Sequence, residues 1–200
     1  MCGGIRWRTA SGGGCFTDRV VSWLELWGYR RVEVPSLVPT QMFRACTEGT
    51  ENRMFDLAGG ASLLPEATNY IRAVGRQRLG AERVYYVARC FRDERTTDAE
   101  RLREFTQIGV EQLGERSLDC RKAVRRDAIQ LFRELLPSSA WQLDDGVERG
   151  LNLYDDPGRT FEISSTVTRK QLLGGGPYEG GAGWALGLER LMLAISRAAV

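Results

Sequence analysis

The chain has 200 residues, enough for one domain with a real core and too few for two. Its 28 basic and 26 acidic side chains leave a net charge of +2, so no bulk field draws the whole protein to nucleic acid, and any such binding is local. Histidine is absent, which excludes a catalytic imidazole, the Ser-His-Asp triad, the Cys-His dyad and H-E-x-x-H zinc chemistry.

In chain order, residues 1–14 carry Gly3, Gly4, Gly12, Gly13 and Gly14 and read as a mobile arm before a single domain over 15–200. Phe16, Val20, Trp23, Leu24 and Trp27 recur at intervals of three and four, which predicts a helix with one apolar stripe and Thr17-Asp18 at its cap. A strand is expected over 30–38, with Pro35 limiting it to an edge or an end. Residues 54–57 and 61–64 read as a hairpin around Gly59-Gly60, and 68–79 as a helix stopped by Gly80. Two apolar strands follow, joined by a polar loop over 93–102.

The clearest long helix is predicted over 117–136, with Val124, Ala128, Leu131, Phe132 and Leu135 on one side and Pro137 beyond its end. Arg121, Lys122, Arg125 and Arg126 fall off that stripe and read either as a solvated face or as a contact for RNA. Short strands are expected over 151–154 and 160–165. The glycine cluster over 174–183 matches neither a dinucleotide fingerprint nor a phosphate-binding P-loop. It reads as a place where backbone approaches a small ligand, or as a flexible connection.

The five cysteines, Cys2, Cys15, Cys46, Cys90 and Cys120, are odd in number and include no C-x-x-C pair. They read as reduced thiols of a cytoplasmic protein, with Cys90 a small core hydrophobe, and neither a disulfide framework nor a metal site is expected. No apolar run approaches the ~20 residues that span a bilayer, and the first residues lack the apolar centre of a signal peptide, so no membrane partner is expected.

The chemistry concentrates in the hairpin over 84–114. Arg92 with Glu94 nearby suits a nucleotide phosphate, because a guanidinium grips phosphate oxygens with two hydrogen bonds at once. Phe105, four residues after Arg101, offers a flat face for a base. The plainer reading of the same residues is a surface hairpin with salt bridges and a core aromatic. Gln107 and Glu111 share parity on the second strand and therefore one side of it.

This hairpin, F-R-x-E followed by R-x-x-x-F, resembles motif 2 of class II aminoacyl-tRNA synthetases. The run from Gly183 to Leu191 is similar to their motif 3, a strand entering a helix, and the segment from Phe16 to Pro35 sits where motif 1 belongs. Within that class the chain resembles the histidyl enzymes. Leu64-Pro65-Glu66-Ala67-Thr68 is similar to R-P-E-G-T, with Leu64 in place of the arginine. Arg149 to Tyr154 resembles R-G-L-D-Y-Y with Asn152 and Leu153 substituted, and two extra residues precede a T-V-F-E-like segment at Arg159 to Glu162. Gly175 to Gly180 resembles G-G-R-Y-D-G with Pro177 for the arginine. Phe161 to Ser165 and Arg103 to Thr106 are also similar to pyrrolysyl-type synthetases.

The resemblance implies an α+β fold, an antiparallel sheet flanked by helices, and activation of an amino acid with ATP and Mg²⁺ before transfer to a tRNA 3′ end. It assigns Arg92 to the α-phosphate and the amino-acid carboxylate, Arg149 to the α-phosphate, and Arg190 to the γ-phosphate. Phe105 would stack on adenine, with Glu94 at its edge and Arg101 in the same nucleotide site. Glu66 and Thr68 would take the ammonium group; Gln107, Glu111, Tyr154 and Tyr178 would line the side-chain pocket. It also implies a homodimer through 16–38, for which Trp23, Trp27 and Tyr29 are the expected anchors. Only ten residues follow Arg190, so a bare catalytic domain that reads the acceptor end of a tRNA is expected. The alternatives are a ligase with another acceptor, such as a carrier protein, and a non-catalytic amino-acid sensor.

Overall fold

The structure is a computed structural model and describes residues 16–44, 53–78, 82–99, 101–114, 118–147 and 157–198. Its centre is a seven-stranded sheet. In chain order the strands are β1 (Arg30–Arg31), β5 (Arg83–Phe91), β6 (Glu104–Leu113), β7 (Trp141–Asp145), β8 (Phe161–Ser165), β9 (Gln171–Tyr178) and β10 (Gly181–Gly187). They lie in the order β1-β5-β6-β10-β9-β8-β7, with β1 parallel to β5 and every other pair antiparallel. A second sheet, β2 (Leu37–Pro39), β4 (Ala61–Leu63) and β3 (Asp56–Leu57), is small and antiparallel. The helices are α1 (Phe16–Leu26), α2 (Thr40–Arg44), α3 (Thr68–Arg78), α4 (Leu118–Leu135) and α5 (Leu188–Ala198).

Strand alternation divides the large sheet into two faces of different character. On the rear face Tyr85, Ile108, Val110, Trp184, Leu186, Leu173, Phe161 and Ile163 meet the apolar stripes of α1, α4 and α5 in one core. Full burial of each large side chain contributes about 1.5–3 kcal/mol, which is why the predicted stripes of α1 and α4 are where the chain needs them. On the front face Val84, Tyr86, Ala88 and Cys90 of β5 pack with Val38, Phe43, Leu64 and Ile71 in a second core. Leu64, found where the resembled motif has arginine, is thus a fully buried core residue.

The strand expected over 30–38 is divided. Pro35 offers no N–H to a ladder, and the chain passes from β1 in the large sheet to β2 in the small one across it. The glycine-rich run is not a flexible connection: it supplies β9 and β10, two central strands. A further strand, β7, appears where none was expected, and the expected strand over 151–154 lies outside the described residues.

Tyr29 is not available as an interface anchor. It is 2% exposed, donates its hydroxyl to Asp127 Oδ2 at 2.9 Å and lies under the Arg83 guanidinium, 4.2 Å from the ring centroid. Arg83 Nη2 also donates to that oxygen at 2.5 Å, so one buried carboxylate joins α4, β5 and the segment after α1. Asp127→Ala would leave a phenol and a guanidinium without their acceptor. We expect a loss of about 3 kcal/mol in urea unfolding, the cost typical of breaking a buried pair from one side.

Candidate active site

α3 starts where Glu66 folds back over its first turn. The carboxylate accepts the N–H of Thr68 at Oε2 (3.0 Å) and of Asn69 at Oε1 (2.8 Å), satisfying two of the donors a helix start leaves open. Ala67 N–H donates to Gln107 Oε1 at 2.9 Å, tying the helix start to β6, and the Cys90 thiol reaches the same oxygen at 3.5 Å. Cys90 is buried and its thiol is pushed up by that burial, which suits packing and not nucleophilic attack. Each Glu66 oxygen keeps a lone-pair site for another donor.

Gln107 and Glu111 lie on the same face of β6, as their parity requires, and this is the front face. Glu111 is fully buried; its Oε2 accepts the Tyr178 hydroxyl at 2.6 Å, while Oε1 has no hydrogen-bond partner. Thr68 Oγ1 lies 3.2 Å from the Tyr86 hydroxyl. Directly across from Glu111 is Gly183 of β10, where a Cβ would collide with the Glu111 carboxylate and come within 2.5 Å of Val110 O. Gly109 repeats the device: a Cβ there would run into the Tyr86 ring hydroxyl. The glycines thus leave room for polar side chains above the middle of the sheet.

Both buried carboxyls hold their protons more tightly than usual. Burial raises Glu66, against the Asn69 N–H, the charge of Arg92, the Thr68 N–H and Arg72. Burial pushes Glu111 from its ordinary 4.5 up to about 8, against the Tyr178 hydrogen bond and the nearby Thr68 hydroxyl, with Glu66 adding to the rise. Below pH 4.5 Glu111 is protonated whether the chain is folded or not. Between there and about pH 8 the folded chain holds a proton that the unfolded chain has lost, so stability falls as pH rises through that window. Urea midpoints at pH 5 and pH 8.5 are expected to show this fall, and Glu111→Gln to flatten it.

Arg92 closes the other end of the cluster. Its Nε donates to Pro65 O at 3.1 Å, next to Glu66, and its guanidinium carbon is 5.0 Å from the centroid of Phe105. Burial lowers its pKa, as does the charge of Arg190, while Glu66 and Glu94 hold it up. Glu94 faces Arg53 at 3.6 Å. Arg101 remains exposed in the loop, where its N–H donates to Asp98 Oδ1 and its Nη1 to Thr96 Oγ1, and it is not drawn into the cluster. Arg149 and Tyr154 lie outside the described residues.

Two contributions escaped the sequence reading. Glu189, beside Arg190 in the first turn of α5, accepts the Thr106 N–H with both oxygens at 2.9 Å and so ties the motif 3 helix to the hairpin strand. Its place in the motif 3 run was the available signal. Asn69 is buried with both amide atoms unpartnered, directly after Thr68; no motif marks it. Conversely, the basic group of α4 is not beside the site, because α4 packs on the rear face. Arg121 and Arg125 pair with Asp145 at 3.3 and 2.6 Å, and Arg126 with Asp127 at 3.2 Å.

A family model described as histidyl-tRNA synthetase matches residues 15–136. The chain belongs to the histidyl-tRNA synthetase family. It is 32% identical over 155 residues to a histidine–tRNA ligase of Dechloromonas aromatica, covering 71% of this chain and 34% of that one. A histidine–tRNA ligase of Aromatoleum aromaticum is 38% identical over 112 residues, 50% of this chain and 25% of its own length. The chain thus spans about a third and a quarter of these two curated relatives. Among solved structures, the apo histidyl-tRNA synthetase of S. aureus superposes with a TM-score of 0.69 at 20% identity, over 92% of this chain and 65% of that one. A pyrrolysyl-tRNA synthetase, PylSc of Desulfitobacterium hafniense, gives 0.69 at 20% identity over 91% and 68%. The antiparallel sheet flanked by helices is the class II synthetase fold. No helix among the described residues is long and apolar enough to cross a membrane.

Proposed function

We propose that this chain activates an amino acid as its adenylate with ATP and passes it to the 3′ end of a tRNA, L-histidine being the first candidate on family membership. The observation that carries this reading is the convergence of Arg92, Glu66, Gln107 and Glu111 on one face of the β5–β6 hairpin, around a buried Glu111 oxygen without a partner. A buried carboxyl oxygen left without a partner costs about 1–3 kcal/mol unless a polar group pairs with it, and an incoming polar side chain is such a group.

In the reaction a carboxylate oxygen of the amino acid attacks the α-phosphorus of ATP in line, a P–O bond forms, and pyrophosphate leaves with the electron pair of the bond that breaks. Negative charge grows on phosphate oxygens, so the step needs placed cations and geometry, with no side chain to shuttle a proton. Arg92 sits between the ammonium-binding Glu66 and the Phe105 ring, where a carboxylate and an α-phosphate would meet. Phe105 would stack on adenine, Glu94 would meet its edge, and Arg190 would hold the γ-phosphate. Glu66 and Thr68 would receive the ammonium group, and Gln107 together with Glu111, the latter held by the Tyr178 hydroxyl, the side chain. Arg149 by the α-phosphate, and Tyr154 over the side chain, complete the assignment from the family motif. Mg²⁺ would arrive bound to the triphosphate.

ATP–pyrophosphate exchange screened across the amino acids tests this, with exchange dependent on one of them as the expected result. No exchange with any would overturn the adenylating reading and leave the amino-acid sensor. Exchange without charging of tRNA would transfer the second step to another acceptor. The same reading includes a homodimer. Leu26 on α1 is 79% exposed next to Trp27, whose ring is tilted against that of Trp23 at a centroid distance of 5.4 Å, and a second copy would cover this apolar edge. Sedimentation at tens of micromolar is expected to give a dimer.

A further inference from the structure

Thr68 and Arg72 are one turn apart on α3 and therefore leave the helix on the same side. Thr68 meets the Tyr86 hydroxyl above the sheet. Arg72 lies over Tyr178, its guanidinium carbon 5.0 Å from the ring centroid, and Tyr178 is the residue that donates to Glu111. The charge of Arg72 reaches Glu66, Glu111 and Tyr178 at once. Among the described residues it makes no ion pair, and the ring is its partner. A half-buried cation held on an aromatic face, on the ring whose hydroxyl donates to a buried carboxyl, is an unusual component for a surface helix.

Its consequence follows from counting charges in the cluster. On the amino-acid-binding reading Glu66, which caps α3, takes the α-ammonium, and Glu111 with its open oxygen is left for the side chain. A buried carboxyl of that kind, taken alone, invites a second cation such as the ammonium of lysine. Arg72, seated on the ring of the tyrosine that donates to Glu111, already supplies positive charge beside that carboxyl. Two unit charges about 5 Å apart at an effective dielectric of about 20 repel strongly enough to weaken binding by about a hundredfold.

We propose that Arg72 is a specificity-determining residue of the amino-acid pocket: held on the Tyr178 ring above Glu111, it keeps the side-chain end closed to cations and selects an uncharged, hydrogen-bonding side chain. The assignment rests on the amino-acid-binding reading of the Glu66–Glu111 cluster. It works by exclusion of the wrong partner as much as by attraction of the right one.

The test is equilibrium dialysis with L-histidine at pH 8, L-glutamine, L-lysine and L-arginine on the unaltered chain, Arg72→Met and Arg72→Lys, with ATP–pyrophosphate exchange run in parallel. Methionine keeps the length and the contact with the ring but removes the charge. The unaltered chain is expected to prefer histidine or glutamine over lysine and arginine by about a hundredfold. Arg72→Met is expected to shrink that ratio at least tenfold, chiefly through tighter binding of lysine, and Arg72→Lys to preserve it. A ratio unchanged within twofold in Arg72→Met overturns the assignment, as does equal binding of lysine and histidine by the unaltered chain. A ratio that collapses in Arg72→Met while exchange is absent with every amino acid supports Arg72 and overturns adenylation. Binding of none of the four probes overturns both.

Discussion

Arg92→Ala is expected to cut ATP–pyrophosphate exchange by at least about a hundredfold while the unfolding midpoint stays close to that of the unaltered chain. The guanidinium is fixed at two points, by its Nε donating to Pro65 O and by its approach to Phe105. It is thus already in place when charge develops on the phosphate, and removal of one such donor typically costs about 3 kcal/mol in the transition state. Arg92→Lys keeps a charge but loses the planar fork and the ring contact, so it should recover only a fraction of the loss. Initial rates at saturating ATP separate a fall in kcat from a change in KM. A rate within a few-fold of the unaltered chain would assign Arg92 to the packing of the hairpin and not to chemistry.

The second large effect is expected from a single methyl group. In Gly183→Ala the new Cβ meets the Glu111 carboxylate on one side and Val110 O, 2.5 Å away, on the other. The carboxylate is flexible but buried and bonded to Tyr178; the carbonyl belongs to the neighbouring central strand and has nowhere to go. Overpacking of this kind costs about 1–3 kcal/mol. It also displaces the group proposed to meet the substrate side chain, so amino-acid KM should rise together with the loss of stability. Gly187→Ala is the control, since nothing lies within 4 Å of a Cβ there. A melting temperature for Gly183→Ala equal to that of the control would contradict the tight fit of Glu111 against β10.

Much of this arrangement was legible in the residues. Helix positions followed from three-and-four spacing, because only one face of α1 and of α4 has to be buried. The hairpin followed from two apolar runs around a polar loop, and the shared face of Gln107 and Glu111 from the two-residue period of a strand. The three motifs in order carried the fold. Glycine-rich sequence hid β9, where glycine has little strand preference of its own and facing side chains occupy the space a Cβ would need, while β10 entering α5 is the strand-to-helix passage read in motif 3.

The sequence by itself therefore determined most of the elements, their order, and most of the residues with chemistry to offer. Only the tertiary structure decided which of them meet. Periodicity shows that a helix has an apolar stripe but not which side of a sheet receives it, and so α4 and its arginines proved to be behind the sheet, paired with Asp127 and Asp145. Tyr29 read as an interface aromatic until a carboxylate 98 positions away accepted its hydroxyl. Arg72 has no motif to mark it, and its meaning comes from a ring more than a hundred residues distant that the sheet brings above Glu111. Contacts of that range depend on strand register and helix placement together, which no local window of sequence contains.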